Sequence, residues 1–293
     1  MEPLLFEVLP CLLGGMVLGW RWPVLPGWLS PPLVRWGVPL SVAALLLRSS
    51  PSLSLLKVAL VALVMPLLSL GVLVSLASVR QRFKDPVLIL GAVVGNTGYW
   101  GLPVALALLP PPAMATAVFY DVVGTLITWT AGPLLLQGAQ VDQTSRLRTL
   151  LASPALQGLL LYLLIYLSPW KSAWTGLLWW PGRVVLVIAL GVLGMRLGLT
   201  LRQRCFVLPP GLPYALAFKL LLFPALVGLL GHALALPDLD RQALVLQGAA
   251  PTALSVVLMA EAHQDLGQVA SALVISSTLA AMLTVPLWWI FLQ

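Results

Sequence analysis

Long apolar stretches joined by short polar connections occupy nearly the whole chain. A helix that crosses a bilayer needs about 20 predominantly apolar residues. The pattern therefore predicts ten membrane-spanning helices and an all-α integral membrane protein. We place these helices at residues 4–20, 33–48, 55–79, 86–109, 113–138, 149–168, 180–198, 212–234, 241–261 and 268–291. Glycine or proline interrupts the second and the seventh of them.

The fourth apolar stretch is broken in its middle. Residues 95–98 (GNTG) and 101–103 (GLP) stand where an ordinary membrane helix would carry leucine and valine. A helix interior loses about 3 kcal/mol at a proline and about 1 kcal/mol at a glycine. In lipid, each freed backbone group must also find a partner within the protein. Transporters place such breaks at a central substrate site, so the break favours a transport function.

The two halves of the chain resemble each other weakly. VALVMPLLSLG around Pro66 is similar to KLLLFPALVGL around Pro224, and the segments that follow, 85–92 and 240–249, are also similar. The ninth stretch carries a second break, GAAPT at 248–252, where the repeat requires one. Five spans per half is an odd number, so the second half must cross the membrane upside down. Chance similarity between apolar helices is the alternative.

The repeat defines the expected domain organisation. Residues 1–140 would form the first five-helix repeat and residues 141–293 the second, inverted one. A scaffold domain and a transport domain would each take helices from both repeats.

Composition supports a membrane protein and excludes several other classes. Of the residues, 60% are hydrophobic and 9% are charged, whereas soluble domains carry about 25% charged residues. No segment remains for a soluble catalytic or nucleic-acid-binding domain. The net charge of +7 therefore points to the lipid bilayer as a partner, and not to nucleic acid. Cys11 lies in the first span and Cys205 in a basic loop, so we expect no disulfide framework.

The lysines and arginines predict the orientation. The positive-inside rule places the connections after the first, third, fifth and seventh spans in the cytoplasm, because they hold ten of these residues against five on the opposite side. The first set is Arg21, Arg35, Arg80, Arg82, Lys84, Arg146, Arg148, Arg196, Arg202 and Arg204, and the second is Arg48, Lys57, Lys171, Arg183 and Arg241. Both termini would then lie outside the cytoplasm of a bacterial-type inner membrane. The first span lacks a basic leader and a cleavage site, so we expect it to be retained.

Residues 96–103 (NTGYWGLP) resemble the GN-T-G-(F/Y)-x-G-(L/I)-P segment of the auxin efflux carrier family, which includes the plant PIN-type carriers. Residues 117–121 (AVFYD), 219–224 (KLLLFP) and 250–253 (APTA) are similar to that family's fifth, eighth and ninth helices. The resemblance implies two inverted five-helix repeats whose fourth and ninth helices cross at their breaks, as in the bile-acid:sodium symporter architecture. The chain departs from the family in two ways. Its fifth-to-sixth connection is short, and residues 34–39 offer no counterpart of the second-helix asparagine.

The two breaks supply most of the candidate substrate-binding residues. Asn96 is the leading candidate, because its neutral amide offers donors and an acceptor to a carboxylate that must bind and then leave. The alternative is an asparagine that only caps the restarted helix. Pro103 and Pro251 interrupt the helices, and the N–H groups of the restarted half-helices favour an anion. Hydroxyl groups at the breaks could donate too, although they often bond the carbonyl four residues earlier. The candidates are Asn96, Thr97, Tyr99, Pro103, Asp121, Gln247, Pro251, Thr252 and Ser255.

Asp121 lies in the fifth span, where a carboxylate costs about 2.5–3.5 kcal/mol on insertion scales. It should therefore face the protein interior, as a proton-coupling group, a cation ligand or a hydrogen-bond acceptor for the broken helix. Lys219 should extend its ammonium group to the membrane surface, and attraction of an anion is the alternative role. Glu261, His263 and Asp265 resemble a solvated turn, and their spacing does not indicate a metal site.

These features favour a secondary carrier that expels small organic anions, such as carboxylates or auxin-like compounds, by elevator-like movement. The sequence contains no Walker GxxxxGK[ST] loop for ATP. A sodium-coupled symporter of the bile-acid class is the alternative, but the ninth span supplies few oxygen ligands for it. A membrane-embedded enzyme would need paired carboxylates or histidine clusters, which two histidines do not provide. We expect no enzymatic activity, cofactor or bound metal, and a homodimer remains open.

Overall fold

The computed structural model describes residues 7–49, 53–137, 153–202, 208–260 and 264–293. These ranges are helical apart from short connections, and the β-type pairing found within them is one isolated bridge between Gly95 and Thr252. In chain order the helices are α1 (Leu9–Arg21), α2 (Leu25–Leu47), α3 (Ser54–Ser75), α4 (Ala77–Phe83), α5 (Pro86–Val93), α6 (Leu102–Leu108), α7 (Met114–Gln137), α8 (Pro154–Tyr166), α9 (Lys171–Arg202), α10 (Leu212–Ala233), α11 (Asp238–Gly248), α12 (Leu254–Ala260) and α13 (Gln264–Leu292).

Six of the described helices are long and apolar enough to cross a bilayer, namely α2, α3, α7, α9, α10 and α13. Helices α1 and α8 are apolar but have 13 residues each. The fourth and ninth predicted spans are each split into two short helices, α5 with α6 and α11 with α12. An all-helical membrane protein is therefore found over the described residues, while the count of ten spans and the inverted repeat stay predictions.

The predicted bounds of the second and seventh spans are wrong. Helix α2 begins at Leu25 instead of residue 33, because Pro26 lies in its first turn, where a missing N–H removes no helical hydrogen bond. Helix α9 runs from Lys171 to Arg202 and passes through Pro181 without ending. Both helices are therefore longer than the sequence predicted.

Widened turns allow three helices to pass a proline. A proline lacks the N–H for the carbonyl four residues earlier, and its ring pushes that carbonyl away. In each case the residue just before the proline donates to the carbonyl five residues earlier, which forms a π-helical turn. These turns are Leu33–Gly37, Thr97–Gly101 and Phe218–Leu222, which precede Pro39, Pro103 and Pro224. The carbonyl freed at Leu220 instead accepts a hydrogen bond from Trp288 Nε1 at 2.8 Å.

The helices pack as two groups. The first group consists of α1, α2, α8 and α9, and the second group contains α3, α5, α6, α7 and α10 to α13. Within the first group, the backbones of α1 and α9 are in direct contact. A Cβ atom at Gly15 or Gly19 would overlap the backbone of Gly191 or Met195. Small residues permit such close approach of helices in membranes. Tyr99, from the second group, packs on side chains of α2 and α9.

Contacts between helix termini define the two ends of the bundle. At one end, Arg202 of α9 donates to the carbonyl oxygen of Trp20 at 2.9 Å, and Arg82 of α4 lies over an aromatic ring in the first turn of α10. We call this the basic end. At the opposite end, Lys57 of α3 donates to the carbonyl oxygen of Leu234 at 2.9 Å.

Candidate functional site

The two helix breaks cross and pair through their backbones. Asn96 N donates to the carbonyl oxygen of Pro251 at 2.6 Å, and Ala253 N donates to that of Val94 at 3.2 Å. The two segments run antiparallel at this point. Each break therefore satisfies backbone groups that the other exposes, which is what an interrupted helix in lipid requires.

Side chains reinforce the crossing. Thr252 is fully buried, and its hydroxyl donates to the carbonyl oxygen of Gly91 at 2.8 Å. Thr252 N in turn donates to Ser277 Oγ of α13 at 3.1 Å. Thr252 thus links α5, the second break and α13, and its hydroxyl is already engaged with protein.

Asn96 caps the helix that restarts after the first break. Its Oδ1 accepts a hydrogen bond from Tyr99 N at 3.3 Å, as an N-cap residue does. Its Nδ2 is buried and finds no acceptor among the described residues. The capping interpretation therefore accounts for one end of the amide and leaves the donor end available.

Asp121 faces the first break. It lies in α7, is 4% exposed, and accepts a hydrogen bond at 2.5 Å from the Thr97 hydroxyl. Of the three roles expected for Asp121, this contact corresponds to the hydrogen-bond acceptor for the broken helix. The contact also shows Thr97 bonding a side chain and not the carbonyl one turn back.

A cavity of about 220 Å³ opens beside the crossing, between the two helix groups. Five of the predicted site residues line it, namely Asn96, Thr97, Tyr99, Asp121 and Ser255. Pro103, Pro251 and Thr252 are buried away from it. Gln247 borders a separate cavity of about 20 Å³. The sequence-predicted set is thus split between a cavity wall and the packed interior of the crossing.

The cavity extends from the crossing toward the basic end. Its outer walls come from Ser30 near the start of α2, Trp129 in the second half of α7 and Arg196 near the end of α9. Its inner end is formed by Asn96 and Thr97 of the first break. Most of the other lining residues are apolar. The cavity therefore has an apolar wall with a few polar groups, as ligand sites commonly have.

Arg196 is the site residue that sequence reasoning missed. It was assigned to a cytoplasmic connection, but α9 continues past it to Arg202. Arg196 Nε donates to Ser30 Oγ at 3.2 Å. Among the described lining residues, the charged ones are Arg196 and Asp121. The signal in the sequence was the apolar run on both sides of this arginine, GVLGM before it and LGLTL after it.

Lys219 does not snorkel to the surface, contrary to expectation. It is fully buried, and its Nζ donates at 2.8 Å to the carbonyl oxygen of Gly248 at the end of α11. The carboxyl end of a helix carries partial negative charge and favours a cation. Lys219 Nζ also lies 4.7 Å from the centroid of the Phe223 ring. The side chain points into the second group beneath the crossing because these partners lie there.

Some predicted features fall outside the described residues. They are the basic residues Arg146, Arg148 and Arg204, Cys205, and the Glu261 and His263 turn with the Asp265 side chain. Within the described ranges, no group of three or more histidine, cysteine, aspartate or glutamate residues could hold a metal ion.

Comparison with known proteins identifies the class. An uncharacterized transporter of Methanothermobacter thermautotrophicus is 30% identical over 216 residues, which cover 70% of this chain and 67% of that protein. An uncharacterized transporter of Methanocaldococcus jannaschii is 26% identical over 213 residues, or 70% of this chain and 68% of that protein. No protein-family model matches the chain.

A helical bundle with several bilayer-length helices and these relatives define a multi-pass membrane transporter. The chain belongs to the same transporter family as the Methanothermobacter thermautotrophicus protein. This assignment favours transport over an enzymatic role.

Proposed function

We propose that this transporter is a secondary carrier of small organic anions, such as carboxylates or auxin-like compounds, which bind where the two broken helices cross. One observation carries the proposal: the cavity between the helix groups ends at the paired breaks. Transporters built on broken helices hold their substrates at such a place, where backbone groups are freed from helical hydrogen bonds.

The polar groups of the cavity suit an anion. Asn96 has a side-chain donor with no acceptor among the described residues, and the helix that restarts at Thr97 directs its positive end toward the same region. Arg196 supplies a cation on the facing wall. Asp121 already accepts a hydrogen bond from Thr97, so one of its oxygens is engaged.

The size and the walls of the cavity suit a small cargo. A volume of about 220 Å³ lies below the roughly 300–1,000 Å³ of sites for drug-sized ligands. The apolar residues around it, including Val38, Val185 and Leu258, would contact the hydrocarbon part of an organic acid. A small carboxylate with an apolar body fits both features.

The packing also suggests how the cargo moves. The first helix group would serve as the scaffold, and the second group, which carries both breaks, as the transport domain. Helix α5 begins near the basic end, where Phe83 adjoins Gly211, whereas α11 begins beside the start of α7, where Thr116 donates to Asp240 at 2.5 Å. Helices that enter from opposite ends and meet antiparallel support two inverted repeats of five spans, split near residue 140.

This arrangement is the one expected of the auxin efflux carrier family, and we include membership of that family in the proposal. It would place both termini outside the cytoplasm. An interior-negative potential favours expulsion of each negative charge by about 2.3 kcal/mol per 100 mV, so an exporter of anions needs no coupling ion.

Uptake into proteoliposomes tests the proposal. Purified protein is reconstituted and offered radiolabelled benzoate, indole-3-acetate and malate, with and without sodium, a pH gradient and a potassium-diffusion potential. We expect uptake of at least one acid, driven by a positive interior potential and independent of sodium. Strict dependence on sodium would favour the bile-acid class of symporter, and absence of uptake for every acid would reject the proposal.

A variant of Asn96 separates binding from capping. Asn96→Ser keeps a good helix cap but removes the amide donors, so we expect weaker transport, by about tenfold or more, since a hydrogen bond to a charged group contributes about 1.5–3 kcal/mol. Gln242→Ala is the control, because that amide donates to the carbonyl oxygen of Leu292 at 3.1 Å, away from the cavity. Equal transport by Asn96→Ser and wild type would leave Asn96 with a capping role only.

A further inference from the structure

Arg196 occupies an unusual position for a cation. It lies six residues before the end of α9, within the apolar part of the helix, and it lines the cavity. Its Nε donates to Ser30 Oγ at 3.2 Å, and the Ser30 hydroxyl donates to the carbonyl oxygen of Pro26 at 2.6 Å. This chain of hydrogen bonds holds the guanidinium against α2, within the first helix group.

The remaining donors of Arg196 are open to a ligand. A guanidinium has five N–H donors in a planar fork, and one of them is used by Ser30. Over the described ranges, Arg196 forms no ion pair with a carboxylate, since the ion pair found there joins Arg241 and Asp238. A cation in a membrane-spanning segment normally marks a substrate or ion pathway.

The two polar walls of the cavity belong to different helix groups. Arg196 and Ser30 are on the first group, which would be the stationary scaffold, whereas Asn96 and Thr97 are on the second. Arg196 also lies nearer the basic end, toward which the cavity extends. A cargo that arrives from this end therefore meets the guanidinium on its way to the crossing.

We propose that Arg196 is a receiving site for the cargo's anionic group, used on the side of the membrane that the basic end faces. The planar fork binds a carboxylate through two parallel hydrogen bonds, and the carboxylate then passes to Asn96 on the moving group. When the second group has moved toward the opposite end, Arg196 stays behind. Arg196 therefore strengthens binding from one side only. This inference rests on the proposed function.

Transport measured from each side tests the inference. Right-side-out and inside-out membrane vesicles are prepared from cells that produce the protein. The half-saturating concentration of benzoate is measured in both kinds of vesicle, and the neutral analogue benzamide is tested as a competitor. Arg196→Gln should raise the half-saturating concentration about tenfold or more where the basic end faces the labelled acid. It should leave the other side unchanged. Arg196→Lys, which keeps the charge but loses the fork, should restore part of the affinity.

Arg202→Gln is the matched control. Arg202 is the last residue of the same helix and donates to the carbonyl oxygen of Trp20, so its removal changes surface charge at the same end without touching the cavity. It should leave both half-saturating concentrations unchanged. Each variant is first checked for a single symmetric peak in gel filtration.

The outcomes separate the inference from the function beneath it. Wild-type uptake that Arg196→Gln leaves unchanged, or weakens equally from both sides, overturns the inference alone. The same holds if Arg202→Gln has an equal effect, because attraction by surface charge would then explain the result. If wild type takes up no organic acid from either side, the proposed function fails and the inference fails with it. Benzamide should compete weakly with wild type and no less well with Arg196→Gln.

Discussion

The hydroxyl of Thr252 holds the two breaks together, and its removal should measurably weaken the fold. Thr252 is fully buried and donates to the carbonyl oxygen of Gly91, 161 residues away in sequence, at 2.8 Å. The substitution Thr252→Val keeps nearly the same shape but replaces the hydroxyl with a methyl group. The perturbation is therefore confined to one hydrogen bond at the crossing.

The position of Gly91 in its helix gives the magnitude. Helix α5 ends at Val93, so the Gly91 carbonyl is among the last four, which have no N–H partner within the helix. Removing the hydroxyl leaves a buried acceptor unpaired, at a cost of about 1–3 kcal/mol. Chains of about 150–250 residues lose about 2–4 °C in Tm per kcal/mol of stability. The apparent Tm of this protein should therefore fall by several degrees.

Thr278→Val is the matched control. Thr278 is equally buried, but its hydroxyl donates to the carbonyl oxygen of Val274, one turn back in its own helix, at 2.7 Å. That carbonyl keeps its backbone partner when the hydroxyl is lost, so we expect a smaller shift. Thermal unfolding of the purified protein in detergent, followed by tryptophan fluorescence, measures both variants. Equal shifts, or no shift for Thr252→Val, would refute the role assigned to this hydroxyl.

Three further predictions concern packing, orientation and coupling. Gly15→Ala should lower the apparent Tm, because overpacking costs about 1–3 kcal/mol, whereas Gly14→Ala, which has open space, should leave it equal or higher; equal loss in both would contradict the close contact of α1 with α9. In a background without native cysteines, a cysteine at Arg82 should be shielded from impermeant reagent in intact cells, while one at Gln293 should react; labelling of both from one side would rule out five spans per repeat. Asp121→Asn should retain transport and its response to a pH gradient, because an amide keeps an acceptor for the broken helix; loss of that response with exchange preserved would instead assign proton coupling to Asp121.

The two helix breaks were predicted from backbone chemistry, because glycine and proline at residues 95–103 and 248–252 cannot continue a helix in lipid without partners. That the two breaks cross was implied by the family resemblance, and the backbone pairing of Gly95 with Thr252 agrees with it. Asp121 was predicted to face inward by the same cost argument, and it accepts a hydrogen bond from Thr97. Local residue types were sufficient in these cases.

The sequence did not predict where the cations lie. Arg196 was assigned to a cytoplasmic connection under the positive-inside rule. Lys219 was assigned to the membrane surface, because a long charged side chain can extend to water. Their actual positions depend on partners distant in sequence, Ser30 and Gly248. Such contacts arise from tertiary packing and leave no periodic pattern in the chain.

The prolines had a similar effect on helix bounds. Glycine or proline within an apolar run was interpreted as an interruption of the second and seventh spans, yet α2 continues through Pro39 and α9 through Pro181. A π-helical turn in α2 absorbs the misfit before Pro39. In α10, the carbonyl of Leu220 that Pro224 frees is taken up by Trp288 Nε1.

A structure of the protein with a bromine-labelled cargo tests the central claim most directly. The best-transported acid is replaced by a brominated analogue that is itself transported, and the bromine is located in crystals by anomalous scattering. We expect one peak in the cavity between Asn96 and Arg196, on the apolar wall near Leu258, which disappears when the unlabelled acid is added in excess. A displaceable peak elsewhere in the bundle, with the cavity at the crossing unoccupied, would contradict the account.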